Sequence, residues 1–305
     1  MPAHFQQLIS FNPSGYVLYE RPDLGNIRFY YKSKELYSWC ESNCSSSATG
    51  NAIFWVKIPV AIPPSHNLSI SMYILPLTVG YSGHYAGEAP QLSCPNPADT
   101  TGCITYGKYD NGANVFDAYW NFSGTTAPAG WTTLEGTVSY NNGITLSATS
   151  DAYYSSSQYA PSQYILEGLT PSTTAAWGGL IWATSWNAGG GAYGLENGQT
   201  SGVTGLTEQV YSVNGGSGAY ANGAGTSTPF MNGMHWDGTS NATGYINYAS
   251  PLAAPTADAP AIGKSYIGAG AWGGGYITFD WLRIRTYPPN GVMPVAHIGS
   301  VSIIS

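Results

Sequence analysis

Between Gly25 and Ile74 the chain runs through four strand-like bursts, Asn26–Tyr31, Leu36–Trp39, Ala52–Ile58 and Asn67–Ile74, separated by short polar turns. Three of them alternate apolar and polar side chains with a period of two: Ile27/Phe29/Tyr31, Ala52/Phe54/Val56/Ile58 and Leu68/Ile70/Met72/Ile74. That period turns one row of side chains into a core and the other toward water or a second layer. The pattern predicts an antiparallel β module. Trp39 and Trp55 are read as core.

The pattern weakens after residue 84. Pro90, Pro95 and Pro97 interrupt residues 85–114, which read as an ordered connector. Strand signals then resume. Thr137–Leu146 is a hairpin turning at Asn142-Gly143. Gln163–Gly168, Gly178–Thr184 and Glu208–Val213 read as further strands. The prolines between Pro251 and Pro260 forbid the helix its alanines would suggest. No amphipathic helix of useful length is present. Many short strands joined by Gly-rich turns indicate a sandwich. Near the end the parity slips: Ile277, Phe279 and Trp281 share one phase, Leu282 and Ile284 the other. A bulge near Trp281 or burial on both faces accounts for it. The apolar tail ending in Ile298–Ile304 is strand-like; it pairs back on its own sheet or adds to a neighbouring subunit.

Four segments together resemble a domain family of unknown function found on archaeal and bacterial surface proteins. They are Gly25-Asn-Ile-Arg-Phe29, Glu35-Leu-Tyr-Ser-Trp39, Phe54-Trp-Val-Lys-Ile-Pro59 and Ser71-Met-Tyr-Ile74. The resemblance covers about the first third of the chain. It implies a concanavalin-like (laminin-G-like) sandwich downstream, opening at Phe116–Phe122 and closing at Phe279–Arg285. The expected fold is therefore all-β: two antiparallel β-sandwich modules in tandem, the second a concanavalin-like jelly roll. The expected boundaries are 1–84 for the first module, 85–114 for the connector, 115–288 for the sandwich and 289–305 for the tail. The resemblance also implies a structural calcium at Asp280, with Asp117 as the remnant of an acidic pair; no other cofactor is expected.

Charged residues make up only 8% of the chain and the net charge is −7. No Lys or Arg occurs between Tyr109 and Gly263. Nucleic acid is excluded as a partner, since phosphate binding needs a cationic footprint. No apolar run reaches the length of a membrane span. Cys40, Cys44, Cys94 and Cys103 are even in number and closely spaced, which suggests local Cys40–Cys44 and Cys94–Cys103 disulfides in an oxidising compartment. Neither spacing fits a tight zinc knuckle. No leader peptide is visible at Met1, so a trimmed, exported chain is expected. Asn43, Asn67, Asn121 and Asn241 stand in glycosylation sequons.

Reactive sets are scarce. The five histidines lack metal-ligand spacing, and no Gly-x-Ser-x-Gly elbow or phosphate loop occurs. Related sandwich β-glucanases carry Glu-x-Asp-x-x-Glu on one strand, and this chain has no such array. Glu167, Glu196 and Glu208 are isolated, with Glu167 read as an exposed strand residue; convergence of acids from different strands stays open. Aromatic residues in Gly-rich context are better candidates: Trp236 with Asp237, Trp272, Trp186 and Tyr193. Planar rings of this kind stack on sugar faces. The expectation is a non-enzymatic, extracellular or cell-surface protein that binds glycans or adheres. Its alternatives are a filament or surface-layer subunit, joined to neighbouring subunits through the C-terminal strand, and a glycoside hydrolase.

Overall fold

The computed structural model describes residues 1–94, 105–175, 177–185, 193–203, 205–214, 217–237, 242–253 and 263–299. The chain forms two compact units, and the second is inserted into the sequence of the first. Described residues 1–94, 105–116 and 288–299 build the first unit; those between 117 and 287 build the second.

The first unit contains β1 (Phe5–Phe11), β2 (Ile27–Tyr31), β3 (Lys34–Glu35), β4 (Ser38–Ser42), β5 (Ala52–Ile58), β6 (Ser71–Ile74) and β7 (Ala86–Glu88). One sheet has the order β1-β5-β4-β7 and the other β3-β2-β6. The alternation read from sequence sorts their faces. Ile27, Phe29, Ala52, Phe54, Val56 and Ile58 meet Phe5, Ile9 and Phe11 in one core. Trp39 and Trp55 pair across β4 and β5 and are buried outside that cluster, against Phe116. Their indole nitrogens donate to Asp110 Oδ1 (2.9 Å) and Glu41 Oε2 (2.8 Å).

Two boundaries differ from expectation. Residues 85–114 are not a separate connector: β7 pairs with β4, in parallel, and 105–116 join the same unit. All three residues of β7 are buried, so no alternation marked it as a strand. The described tail belongs to the first unit, not to the sandwich. Gln7 Nε2 donates to the Pro294 carbonyl (3.0 Å) and Met293 packs against the first core. Most of the apolar Ile298–Ile304 run lies outside the described residues. Cys40 and Cys44 form the expected disulfide. Cys94 is also disulfide-bonded, and Cys103 lies outside the described residues.

The second unit contains β8 (Ala118–Trp120), β9 (Trp131–Tyr140), β10 (Ile144–Tyr159), β11 (Tyr164–Thr170), β12 (Trp177–Ser185), β13 (Tyr193–Val203) and β14 (Gly205–Asn214). It continues with β15 (Ser217–Thr226), β16 (Phe230–Trp236), β17 (Ala242–Ile246), β18 (Ala249–Ala253), β19 (Ser265–Trp272), β20 (Tyr276–Phe279) and β21 (Trp281–Thr286). One sheet runs β15-β14-β13-β12-β19-β10-β20 with β9 also on β10; the other runs β18-β17-β16-β11-β21-β8. Their inner faces enclose Ile144, Leu146, Leu180, Trp182, Ile267 and Phe279 from one sheet, and Leu166, Met234, Trp236, Leu282 and Ile284 from the other. Trp182 spans this core, its indole N–H donating to the Met234 carbonyl (3.1 Å). The unit is the expected jelly-roll sandwich.

The parity slip has a topological cause. β20 pairs with β10 in one sheet and β21 with β11 and β8 in the other, so the chain changes sheets at Asp280. Trp281 to Arg285 are then buried on both faces.

Candidate functional site

The site lies on the outer face of the eight-stranded sheet. Along β19, Ile267, Ala269 and Ala271 enter the core, so Tyr266, Gly268, Gly270 and Trp272 take the opposite face. Gly270 pairs with Gly179 of β12, and Gly179 pairs with Gly198 of β13. Residues directly opposite share a face. Three strands therefore cross here without a side chain. Glycine inside strands weakens them and marks places where another group approaches the backbone closely.

A carboxylate pair closes one end of this lane. Asp151 of β10 faces Gly270 on one side and Glu135 of β9 on the other. The β9–β10 register shifts on both sides of that pairing, with Gly136 at φ 70° beside it. Such bulges re-aim side chains. The Trp272 ring lies over Gly270 and reaches Asp151: a methyl group added at Gly270 would overlap both the indole and Asp151 Oδ1. Tyr153 and Tyr266 continue the same face as an edge-to-face pair (5.8 Å).

Asp151 is 7% exposed, and its Oδ1 has no hydrogen-bond partner among the described residues. Burial pushes its carboxyl up to about 7, and the Glu135 charge adds to that. Near neutral pH the Asp151 carboxyl thus holds its proton for part of the time and can donate it in a hydrogen bond. With a planar indole over bare backbone, this arrangement offers stacking and hydroxyl recognition within one short span.

The opposite sheet carries a structural ion cluster. Glu167 accepts from Arg283 Nε (2.7 Å) and Arg285 Nε (2.8 Å). Arg283 also donates to Tyr248 Oη (2.5 Å) and stacks over Trp281 at 4.7 Å. Burial alone raises the Glu167 carboxyl; the Arg285 and Arg283 charges and hydrogen bonds outweigh it and hold the group below its ordinary range. Glu167 is 1% exposed, not the exposed strand residue expected from sequence, because β11 is covered on both faces.

The structure separates the residues singled out in the sequence. Trp272 stands at the site. Trp236 is a correction: it is 0% exposed within the sandwich core and offers no face to a ligand. The local signal misled because Trp236 ends a strand, and the turn-rich context begins only after it. Asp237 is half-buried beyond that strand. Tyr193 pairs with Ser185 through its backbone, its ring lying outside the described side chains; Trp186 lies outside the described residues.

The expected calcium pair does not fit. Asp280 is buried at one end of β21, while Asp117 accepts from Thr286 Oγ1 (3.0 Å) at the other end. Six residues of strand place these ends about 20 Å apart. Among the sequons, Asn43 and Asn67 are exposed and Asn121 is half-buried, its Oδ1 accepting from the Ser123 N–H (3.1 Å); Asn241 lies outside the described residues. No described helix is long and apolar enough to cross a membrane.

Sequence reasoning missed Glu135 and Asp151. They lie on consecutive strands of one hairpin, but the register shifts on both sides of their pairing hide from simple hairpin counting that they stand opposite one another. Gly179 was visible inside the strand read at Gly178–Thr184, whereas Gly198 and Gly270 were not singled out. Their alignment needs the register of three strands.

No family model matches the chain. A stretch is 33% identical over 123 residues to uncharacterized protein 562 of Sulfolobus islandicus rod-shaped virus 1, covering 39% of this chain and 19% of that protein. Among solved structures, carbohydrate-binding module CBM66 from Bacillus subtilis aligns at TM-score 0.39 and 13% identity, over 50% of this chain and 95% of its own. The Bacillus licheniformis β-glucanase aligns at 0.40 and 14%, over 55% and 97%. A β-1,3-1,4-glucanase (lichenase) from a mouse hindgut metagenome aligns at 0.42 and 9%, over 55% and 98%. Likeness at this level assigns no ligand or activity to the chain.

Proposed function

We propose that the second unit binds a carbohydrate chain on the outer face of its eight-stranded sheet, as part of an exported or surface-borne protein. The observation that supports this is the glycine lane under Trp272, closed by Asp151 and Glu135. A sugar ring lies flat on the indole, where its C–H face replaces water. Its hydroxyls meet the Asp151–Glu135 pair. The Cys40–Cys44 disulfide accords with an oxidising compartment.

Titration of wild-type protein with a panel of oligosaccharides is expected to give at least one binder. Trp272→Ala is expected to weaken it by about 1–3 kcal/mol, the range for losing one stacked ring. Trp272 ends its strand and is not part of the buried cluster, so the variant's melting point should stay near wild type. Unchanged affinity in Trp272→Ala would remove the site.

The carboxyl pair supports a second reading, glycoside hydrolysis, in which one protonated and one ionised carboxyl flank the scissile bond. Release of reducing ends by wild type and not by Asp151→Asn would establish it. A glycan panel that binds but stays intact would remove it.

A further inference from the structure

We propose that this site takes uncharged glycans and excludes chains bearing sulfate, phosphate or uronate groups. The proposal rests on the carbohydrate-binding reading and names the class of ligand.

Between residues 117 and 287 the sequence holds three cations, Lys264, Arg283 and Arg285. Both arginines are buried on Glu167, in the other sheet. Lys264 precedes Ser265, the start of β19, whereas Trp272 ends that strand. Eight residue steps separate them, about 26 Å of extended chain. No cation of the unit is placed to meet an anionic group in the lane. Residues 177–226 contribute no Lys or Arg to this face.

Anions are also opposed. Asp151 is more than nine-tenths buried with an unpartnered oxygen beside the lane, and Glu135 stands across from it. A sulfate or uronate drawn into this face would sit near a carboxylate without a counter-ion, in surroundings less polar than water. Like charges in such surroundings repel strongly. A neutral sugar meets a complementary set: its hydroxyls both donate and accept, and carboxyl oxygens accept those donors without a like-charge penalty.

The test uses the full chain and pairs of glycans with matched backbones, one neutral and one sulfated or uronate-bearing, measured by biolayer interferometry. Neutral members are expected to bind at least about tenfold more tightly at low salt, a difference worth about 1.4 kcal/mol. Added salt should narrow the gap by screening the repulsion. Glu135→Lys is expected to shrink the neutral-to-anionic ratio, and Glu135→Gln to shrink it less. Equal or tighter binding of the anionic members overturns the selectivity while leaving carbohydrate binding intact. Failure of every neutral and anionic glycan to bind overturns the binding reading itself.

Discussion

Replacing Glu167 by Ala is expected to destabilise the second unit by about 3–5 kcal/mol, because it strands two arginines in the protein interior. Arg283 is 0% exposed and Arg285 is 7% exposed, and both donate to the Glu167 carboxylate. One carboxylate thus serves two guanidinium groups on the neighbouring strand β21. Removing either arginine alone leaves a pair behind, so Arg285→Met should cost less than Glu167→Ala. Urea unfolding monitored by tryptophan fluorescence reads the difference. A loss below about 1 kcal/mol, the worth of an exposed ion pair, would show that the cluster is hydrated and contributes little. The cluster binds β11 to β21 at the centre of its sheet, so its failure should release the whole sheet and not one edge.

The second large effect is on pH dependence. Burial raises the carboxyls of Glu20, Glu88, Asp151 and Asp280 to about 7. In the unfolded chain these groups lose their protons near pH 4. Between about pH 4 and 7 the folded chain therefore binds more protons than the unfolded one, and stability falls as pH rises through that window. His235 opposes this. Its burial lowers it to about 4, so it destabilises the fold as pH drops below its ordinary value near 6.5. One histidine stands against four carboxyls, so the net slope is set by the acids. Below about pH 4 the trend reverses. Glu167 and Asp23, held low by their arginines despite burial, then lose the stabilisation that their ionised forms provide. The expected result is a melting temperature highest near pH 4–5 and several degrees lower at pH 8. A melting temperature that rises from pH 5 to pH 8 would contradict it. Asp151→Asn should flatten part of the slope, since asparagine does not titrate.

How much was legible in the sequence depended on whether the signal was local. The alternation at Ile27/Phe29 and Ala52/Phe54/Val56/Ile58 named the core face of β2 and β5 directly, because one side of each strand meets the core. The hairpin at Asn142-Gly143 was legible from its turn residues, and Asn142 takes the positive φ of 52° that such a turn demands. β7 escaped notice because it is buried on both faces and therefore shows no alternation. The same cause hid Glu167, since a covered outer face looks identical, in sequence, to a solvated one. The two tryptophans diverged for a reason of position. Trp236 shares an inner face with Met234, and Trp272 shares an outer face with Gly270.

The sequence by itself determined the all-β class, the run of short strands forming a sandwich after residue 115, the local Cys40–Cys44 bridge and the lack of cations from Tyr109 to Gly263. These follow from composition, near-neighbour spacing and period-two patterning, which act over a few residues. Tertiary structure alone decided that residues 288–299 return to the first unit and that the chain changes sheets at Asp280. It also decided that Gly179, Gly198 and Gly270 line up beside Asp151 and Glu135. Those outcomes depend on strand register between distant segments. A shift of one residue turns a side chain from one face of a sheet to the other, and only the packing of both sheets fixes which register is kept.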